Sequence, residues 1–342
     1  MKYTKLGNSG LVVSKLSFGA MTFGEGQMVP GVKNSIGQQE ANEMVAKVLD
    51  AGINLFDTAD VYTSGDSEVI LGKALSKRRD DIIIATKCGF RMSSNLIDTG
   101  LSYRHIIASV QSSLKRLGTD YIDLYQIHIP DPLTPYEETL RALEDVVRRG
   151  YVRYIGFCNL PAWKAAKLIG IQEKLQYTPF ISAQMYYSLL GRDLEHEVVP
   201  FVEDQGLGIL VWSPLASGFL TGKYTRENPT PEDARRNNFQ FPPIDLEKGY
   251  SVVEKLKSIA ENHQVSIARV ALAWILHQPF ISSIIIGASK MSQLEDSLKA
   301  IEVNLSSEEI IALDEITKPT PIYPGWMQSM GNDSQITEAL TA

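Results

Sequence analysis

Short apolar runs alternate with longer amphipathic segments along most of the chain. The short runs are apolar throughout, which is typical of parallel strands buried on both faces. The longer segments repeat apolar residues every three or four positions, as Met44, Val45 and Val48 do, and this periodicity predicts helices. The predicted strands are 16–20, 53–56, 82–86, 122–127, 152–157, 181–186, 208–212 and 284–287. The predicted helices are 39–51, 67–76, 103–117, 136–149, a helix that begins at Pro161, 195–205, 249–263, 266–278, 291–300 and 306–317.

Alternation of strands and helices on this scale favours an α/β fold, the (β/α)8 TIM barrel. A doubly wound open sheet is the alternative, but no Gly-x-Gly-x-x-Gly follows the first predicted strand. Residues 3–5 and 11–13 flank a Gly- and Asn-containing turn, which predicts an N-terminal hairpin. Residues 21–37 are rich in Gly and polar side chains and predict a loop. We expect one domain over 1–342, with a core at 1–317, extra C-terminal helices and a tail at 318–342.

Composition narrows the classes of partner. The chain has 342 residues, 44% of them apolar, and a net charge of −7. The acidic balance argues against nucleic acid and against an anionic membrane as partners, because both need clustered Lys and Arg. No apolar run is long enough to span a bilayer, and no secretory signal follows Met1. Cys88 and Cys158 alone cannot form a disulfide framework, so we expect free thiols and a cytoplasmic location.

Three successive predicted strands each end at an ionisable side chain. Asp57 follows strand 53–56, Lys87 follows strand 82–86, and His128 follows strand 122–127. The carboxyl ends of parallel barrel strands meet at one face, where such barrels carry their chemistry. Tyr62 lies shortly after Asp57 and is expected at the same face. Each of these residues alone would more often be a helix cap or a packing residue.

Several motifs together resemble the aldo-keto reductases. The motifs are 57–62, 68–72, 156–159, 183–184, 212–215 and 286–289, with Lys87 and His128 at two further positions of the family pattern. The resemblance covers about residues 1–317. It is nearer to the bacterial members and the potassium-channel β-subunits than to aldose reductase, because a long segment follows 212–216. It implies a barrel that binds a nicotinamide dinucleotide without a Rossmann domain.

The resemblance implies that Asp57, Tyr62, Lys87 and His128 are catalytic. Tyr62 would donate a proton to a carbonyl oxygen, and Lys87 would tune it. An ammonium about 4 Å from a phenol, at an effective dielectric of ~20, favours the phenolate by roughly 4 kcal/mol. That corresponds to a Tyr62 pKa lower by up to about 3. Asp57 would keep Lys87 charged, and a neutral His128 would orient the substrate oxygen or relay the proton.

The resemblance also implies NADP(H) as the cofactor. The residues that match its binding motifs are Gly19, Ala20, Met21, Asp57, Cys158, Asn159, Gln184, Trp212, Ser213, Pro214, Leu215, Ser217, Gly218, Lys223, Arg235, Gly287, Ser289, Lys290, Gln293, Asp296 and Ser297. The amides of Asn159 and Gln184 suit a nicotinamide carboxamide, and Trp212 would stack on the ring. Segment 215–224 would fold over the pyrophosphate.

The adenosine end of the expected cofactor site lies after the eighth predicted strand. Ser289, Lys290 and Gln293 fall at the start of a helix, which favours a 2′-phosphate. Arg235 would add a second cation near that phosphate. Asp296 and Ser297 would face the adenine, although both depart from the residues usual in the family, as Cys158 does beside the carboxamide. A solvated helix face is the alternative interpretation of this cluster.

Three alternatives remain open on the sequence. Lys87 could form a Schiff base as in aldolases, but Asp57 would oppose the depressed pKa that this requires. A metal site is not expected, because five His residues include no His-x-His or His-Glu-x-x-His. A cofactor-bound regulatory subunit, like the channel β-subunits, is disfavoured by His128 and by the lack of a long N-terminal extension. The substrate is expected to be a small carbonyl compound, and the oligomeric state is open.

Overall fold

The computed structural model describes residues 1–29, 32–232, 234–331 and 333–341 of the chain. Within these residues eight parallel strands form a closed barrel, so the predicted (β/α)8 barrel is confirmed. The strands are β1 (Tyr3–Lys5), β2 (Val12–Ser14), β3 (Leu16–Gly19), β4 (Gly24–Val29), β5 (Val32–Ile36), β6 (Leu55–Asp57), β7 (Ile83–Cys88), β8 (Ile122–Ile127), β9 (Val152–Cys158), β10 (Phe180–Tyr186), β11 (Gly208–Trp212) and β12 (Ile281–Ile286). The barrel runs in the order β3, β6, β7, β8, β9, β10, β11, β12 and back to β3.

The helices lie between successive barrel strands and follow the last one. They are α1 (Gln38–Asp50), α2 (Asp66–Leu75), α3 (Tyr103–Leu117), α4 (Tyr136–Arg148), α5 (Ala162–Leu175), α6 (Leu194–Asp204), α7 (Arg235–Asn238), α8 (Leu246–His263), α9 (Ile267–His277), α10 (Met291–Leu298), α11 (Ser307–Thr317), α12 (Gly325–Gln328) and α13 (Ser334–Thr341). Short 3-10 turns occur at Tyr62–Gly65, Arg79–Asp81, Phe219–Thr221, Lys299–Glu302 and Ser329–Gly331. Among the described residues, no helix combines the length and apolarity needed to cross a membrane.

Helix boundaries follow from side-chain caps. The hydroxyl of Ser102 accepts a hydrogen bond from the His105 amide, which fixes the start of α3. Gly118 ends α3 with φ 65°, a left-handed conformation that glycine adopts without steric cost. The predicted start of α8 at 249 is wrong. The Asp245 carboxylate accepts from the Lys248 amide and begins the helix at Leu246.

Strand register places the expected site residues side by side. Asp57 pairs with Gly19 of β3 and with Ala85 of β7, and Lys87 pairs with Gln126 of β8. Every residue of β6, β7 and β12 is buried, as expected for strands covered on both faces. The carboxyl ends of β6, β7 and β8 therefore lie next to one another at one face of the barrel.

The predicted N-terminal hairpin is confirmed as the antiparallel pair β1 and β2. The prediction of a loop over residues 21–37 is wrong, because β4 and β5 form a second antiparallel hairpin there. Its composition hides it, since glycines and polar side chains are depleted in strands and the pairing depends on backbone hydrogen bonds. Thr63 donates its hydroxyl hydrogen to the Phe23 carbonyl at 2.9 Å, so the hairpin is attached to the turn that carries Tyr62.

Two further predictions concern chain ends and turns. Pro161 was expected in the first turn of a helix, but it is the residue before α5, which begins at Ala162. In the tail predicted at 318–342, the described residues form two short helices, and Tyr323 and Trp326 are 71% and 48% exposed.

Candidate active site

The ammonium group of Lys87 is fully buried at the end of β7 and is surrounded by oxygen atoms. It donates to Asp57 Oδ2 at 2.6 Å, to the Thr58 carbonyl at 2.7 Å and to the Tyr62 hydroxyl at 3.3 Å. Burial alone would lower the pKa of Lys87, but the charges of Asp57 and its other neighbours outweigh burial and raise it. Lys87 is therefore a fixed cation beside the Tyr62 phenol, and this disfavours the Schiff-base alternative.

The Asp57 carboxylate is held from both sides. Its Oδ2 atom binds Lys87, and its Oδ1 atom accepts from Gln184 Nε2 at 2.7 Å and from Gln126 Nε2 at 3.4 Å. These three donors come from β7, β10 and β8, so the carboxylate connects separate parts of the barrel. Gln184 Oε1 accepts no hydrogen bond from the described residues and remains available to a ligand donor.

Tyr62 begins a 3-10 turn in which the next two residues have left-handed backbones. The φ angles of Thr63 and Ser64 are 47° and 55°, a conformation that costs free energy for residues other than glycine. Burial raises the pKa of Tyr62, and the charge of Lys87 acts in the opposite direction without reversing the shift. The expected lowering is therefore not the net direction. The phenol keeps its proton at neutral pH, which is the state a proton donor requires.

The imidazole of His128 lies against Tyr62 immediately after β8. The two rings meet edge to face with centroids 5.7 Å apart, and Phe90 also packs edge to face with His128, with centroids 4.7 Å apart. Burial and the charge of Lys87 hold the pKa of His128 well below its usual value. The Nδ1 atom is buried and has no hydrogen-bond partner in the described part of the chain. The imidazole of His128 is therefore uncharged at neutral pH.

Trp212 and Asn159, at the ends of β11 and β9, are joined by a hydrogen bond. Trp212 Nε1 donates to Asn159 Oδ1 at 3.0 Å, and Asn159 Nδ2 donates to the His128 carbonyl at 3.3 Å. The indole ring stacks on Phe241, with centroids 5.6 Å and planes 10° apart. Both polar atoms of Asn159 already have partners, so its role toward a carboxamide stays a prediction, as does stacking of Trp212 on nicotinamide.

The segment after β11 has a tight backbone. Ser213, Ala216 and Ser217 have φ angles of 52°, 48° and 54°, and Gly218 has 83°. A Cβ atom added to Gly218 would lie 3.4 Å from Lys223 Nζ, so the lysine side chain folds back over this turn. Burial lowers the pKa of Lys223, and no ion pair of Lys223 occurs among the described residues. Pro214 and Leu215 lie in the same turn.

The start of α10 carries the residues expected near the 2′-phosphate. The amide and hydroxyl of Ser289 both donate to Gln293 Oε1 at 3.1 Å, and Lys290 is exposed. No side chain caps the first turn of α10, so it offers backbone N–H groups and a positive dipole end to an anion. Gly287 is also exposed, and a Cβ atom there would meet only the Gly19 carbonyl, at 3.6 Å.

The two residues expected to face adenine are hydrogen-bonded to other side chains or buried. Asp296 accepts from Arg269 Nε at 2.7 Å and from the Ser266 hydroxyl, and Ser297 is 7% exposed. Their contact with adenine stays a prediction. On the barrel side, the Ala20 amide donates to the Asp57 carbonyl at 2.8 Å, and Met21 lies in the turn that follows.

Arg235 begins α7, and its Nε atom is buried without a partner among the described residues. Its place near a 2′-phosphate stays a prediction. Cys158 is 1% exposed, and burial raises the pKa of its thiol. Cys88 and Cys158 are both free thiols, as expected. In the described part of the chain, no three His, Cys, Asp or Glu side chains cluster as metal ligands would.

Sequence reasoning missed four residues that complete the site: Thr58, Phe90, Gln126 and Phe241. Gln126 could have been found, because it is two positions before His128 and therefore points to the same side of β8. Thr58 contributes only a carbonyl oxygen, which leaves no side-chain signal. Phe90 and Phe241 come from loops, where no periodic pattern indicates orientation.

Comparison with known proteins classifies this chain. The sequence model described as the Aldo/keto reductase family matches residues 15–318. This chain belongs to the aldo/keto reductase family. A versiconal hemiacetal acetate reductase of Aspergillus parasiticus is 34% identical, covering 95% of this chain and 99% of the relative. A putative aryl-alcohol dehydrogenase of Schizosaccharomyces pombe is 36% identical, covering 94% and 97%.

The predicted nearness to the channel β-subunits is also confirmed. A probable voltage-gated potassium channel subunit beta of Oryza sativa subsp. japonica is 37% identical, covering 94% of this chain and 98% of the relative. Membership in the aldo/keto reductase family assigns the chain to the oxidoreductases as a class.

Proposed function

We propose that this aldo/keto reductase is an NADP-dependent enzyme that reduces aldehydes or ketones to alcohols. The observation that carries the proposal is the buried Lys87 ammonium, which contacts both the Asp57 carboxylate and the Tyr62 phenol. When bound, a reduced nicotinamide would supply the hydride that the carbonyl carbon receives. The protein must then supply a proton to the carbonyl oxygen and stabilise the charge that this leaves behind.

Tyr62 is the proton donor in this proposal. A phenol with the usual pKa of about 10 is protonated at neutral pH, and burial raises the pKa of Tyr62 further. Donation of the proton leaves a phenolate 3.3 Å from Lys87. At an effective dielectric of ~20, a cation at that distance stabilises the phenolate by roughly 5 kcal/mol. Lys87 therefore acts when the proton moves, whereas the resting phenol stays neutral.

His128 orients the substrate in this proposal. Its low pKa keeps the imidazole neutral, so it cannot compete with Tyr62 as an acid at neutral pH. A ring N–H can donate to the same carbonyl oxygen that receives the Tyr62 proton. Asp57 does not touch the substrate. Asp57 keeps Lys87 charged. Gln184 and Gln126 donate to the Asp57 carboxylate and fix its position.

The residues present fit a nicotinamide dinucleotide phosphate. The free Gln184 Oε1 can accept from the carboxamide, with Asn159 beside it and Trp212 next to the ring. Lys223 folds over a glycine-containing turn that can cover the pyrophosphate. The uncapped start of α10, with Lys290, suits a 2′-phosphate. The remaining residues of the proposed set are Gly19, Ala20, Met21, Asp57, Cys158, Ser213, Pro214, Leu215, Ser217, Gly218, Arg235, Gly287, Ser289, Gln293, Asp296 and Ser297.

The substrate is proposed to be a small carbonyl compound that tolerates an aromatic ring. Phe90 packs on His128, which itself contacts Tyr62, and Phe241 stacks on Trp212, so two loops contribute aromatic side chains at this end of the barrel. Flat apolar walls of this kind favour stacking with a planar ligand. Two relatives, a putative aryl-alcohol dehydrogenase and a versiconal hemiacetal acetate reductase, have names that agree with this class.

A cofactor-binding regulatory subunit is the second candidate, and similarity to the rice channel subunit favours it. Turnover separates the two. The full chain with NADPH and a panel of aryl and aliphatic aldehydes should consume NADPH in proportion to alcohol formed. NADPH that binds but is not consumed with any aldehyde, in either direction of the reaction, would assign the chain to the regulatory class.

A further inference from the structure

The Asp131 carboxylate joins the two loops that leave the barrel beside His128. One loop, 89–101, follows β7, and the other, 128–135, follows β8. Asp131 lies in the second loop, and its Oδ2 atom accepts a hydrogen bond from the Leu101 amide at 2.7 Å. A side chain of the second loop therefore holds the backbone of the first loop directly before α3 begins.

The same carboxylate also organises its own loop. Asp131 Oδ1 accepts from the Leu133 amide at 2.8 Å and from the Thr134 amide at 3.3 Å, and Oδ2 accepts from the Thr134 hydroxyl at 2.7 Å. An ionised carboxylate has the acceptor capacity for four such donors. Burial acts to raise the pKa of Asp131, but these hydrogen bonds outweigh burial and hold the pKa below its usual value.

The two loops approach most closely at Gly100. Its φ angle is 79°, and a Cβ atom added there would lie 2.6 Å from Asp131 Oδ2. The Gly100 amide donates to the Gly89 carbonyl at 3.0 Å, so the two ends of loop 89–101 are hydrogen-bonded to each other. Asp131 thus contacts the first loop at the point where that loop closes on itself.

Phe90 is the first residue beyond this closure, and its ring packs edge to face with His128 at a centroid distance of 4.7 Å. The His128 amide donates to the Cys88 carbonyl at 2.8 Å, which attaches the backbone of His128 to the end of β7. This bond leaves the imidazole free to turn about its side-chain torsions. The orientation of the ring therefore depends on Phe90, and the position of Phe90 depends on how loop 89–101 is held.

We propose that Asp131 is a positioning residue for carbonyl reduction: by joining the two loops, its carboxylate holds Phe90 against His128 and so fixes the direction of the imidazole. This inference rests on the proposed function, because it concerns the group that orients the substrate oxygen. Asp131 itself contacts neither substrate nor cofactor in this proposal. A misplacement of about 1 Å at a reacting group can cost ~10²-fold in rate, so a contact outside the site can control catalysis.

Asp131→Asn breaks the contact between the loops and keeps the turn within the second loop. The remaining carbonyl oxygen can still accept from the Leu133 and Thr134 amides. The new NH2 group would face the Leu101 amide, which is also a donor, so that hydrogen bond is lost. We expect kcat/KM for aldehydes to fall by roughly 10- to 100-fold, while NADPH affinity stays within about twofold of wild type.

Asp145→Asn is the matched control. Asp145 accepts from the Tyr103 hydroxyl, so its carboxylate joins α4 to the start of α3 without contacting either loop. The variant makes the same chemical change in a neighbouring element and should keep wild-type kcat/KM. A loss in Asp145→Asn equal to that in Asp131→Asn would assign the effect to general loosening of this side of the barrel, and the inference would fail.

A double variant tests whether Asp131 acts through the imidazole. His128→Ala removes the ring, so adding Asp131→Asn to it should lower kcat/KM by no more than about twofold further. Losses at independent sites multiply instead. Multiplied losses in the double variant, or wild-type kcat/KM in Asp131→Asn alone, would overturn the inference.

A spectroscopic measurement keeps the inference apart from the proposed function, which fails if the wild type turns over no aldehyde. The chain has five His residues, and the proton NMR signal of the His128 ring is the one that disappears in His128→Ala. Asp131→Asn should shift this signal, because the ring moves relative to Phe90, and Asp145→Asn should leave it in place. An unchanged His128 signal in Asp131→Asn would overturn the inference even without turnover.

Discussion

The Lys87 ammonium lies 2.6 Å from Asp57 Oδ2 and 3.3 Å from the Tyr62 hydroxyl, so one buried cation joins a permanent anion to a neutral phenol. The two contacts have different consequences. The Asp57 contact exists in every state and holds the cation in place. The Tyr62 contact strengthens only when the phenol loses its proton, which is when a transition state for carbonyl reduction needs stabilisation.

Tyr62→Phe tests the proton donor. The change removes one hydroxyl group and little volume, so the barrel and NADPH affinity should stay near wild type. General acid catalysis is typically worth ~10²–10⁴-fold, and kcat should fall by at least that order. Single-turnover hydride transfer from bound NADPH measures the effect. Transfer at the wild-type rate would rule out Tyr62 as the acid.

Lys87→Met tests the buried ion pair through stability. The variant leaves the Asp57 carboxylate buried without its cation, and breaking such a pair costs about 3–5 kcal/mol. Chemical denaturation should show this loss. The double variant Asp57→Asn with Lys87→Met removes both charges and should recover much of the stability while staying inactive. Equal stability of the single and double variants would mean that the carboxylate charge is not the source of the loss.

Asp60 gives a prediction on pH. Burial and the charge of Glu68 raise the pKa of Asp60 to about 8, and neither carboxyl oxygen has a hydrogen-bond partner in the described part of the chain. In the unfolded chain the Asp60 carboxyl loses its proton above pH 3.8, which is its usual pKa. In the folded protein the carboxyl keeps its proton up to a pH of about 8. Folding stability therefore falls as pH rises through this window, by at most about 1.4 kcal/mol per pH unit.

Asp60→Asn removes this titration. The variant should be more stable than wild type at neutral pH, with a gain that grows from pH 4 toward about 8 and then levels off. Urea denaturation across pH measures the difference. Asp80→Asn, at an exposed position, should show no such trend. A constant difference between Asp60→Asn and wild type at all pH values would contradict the raised pKa.

Cofactor choice follows from the start of α10. Lys290 and the uncapped first turn favour the 2′-phosphate, so NADPH should bind more tightly than NADH, by a margin that shrinks with added salt. Lys290→Gln should reduce the margin and leave NADH affinity unchanged. Fluorescence titration measures both constants. Equal affinities in wild type, or preference for NADH, would contradict the proposal.

The barrel was predictable because its strands are apolar on both faces and its helices are periodic. Asp57, Lys87 and His128 were predictable as neighbours because each ends a strand and parallel strands end at one face. The direction of the Tyr62 pKa shift was not predicted correctly, because the expectation included the charge of Lys87 and left out burial.

The hairpin of β4 and β5 could not be predicted from the sequence at all. Its strands carry no alternating pattern of apolar and polar residues. The backbone of Gly24 instead packs directly against the side chain of Thr63. A Cβ atom at Gly24 would lie 2.7 Å from Thr63 Cγ2. This close approach depends on tertiary structure, so no local pattern indicates it.

Gly24→Ala tests whether this hairpin holds the proton donor in place. Gly24 has φ 110°, so alanine is strained there even before its methyl group meets Thr63. Thr63 is buried and directly follows Tyr62, so its displacement should move the phenol away from Lys87. A shift of about 1 Å can cost ~10²-fold in rate, and we expect kcat to fall by 10- to 100-fold with a smaller loss of stability. Gly10→Ala, at a glycine with open space around it, should change neither quantity.

A double variant separates steric displacement from backbone strain. Gly24→Ala with Thr63→Ser removes the Cγ2 atom that the new methyl group would contact, while the serine hydroxyl can still donate to the Phe23 carbonyl. If displacement of Thr63 is the cause, kcat should rise toward wild type although the strain at position 24 remains. A double variant as slow as Gly24→Ala would place the damage in the hairpin backbone. Wild-type kcat in Gly24→Ala itself would show that the hairpin does not position Tyr62.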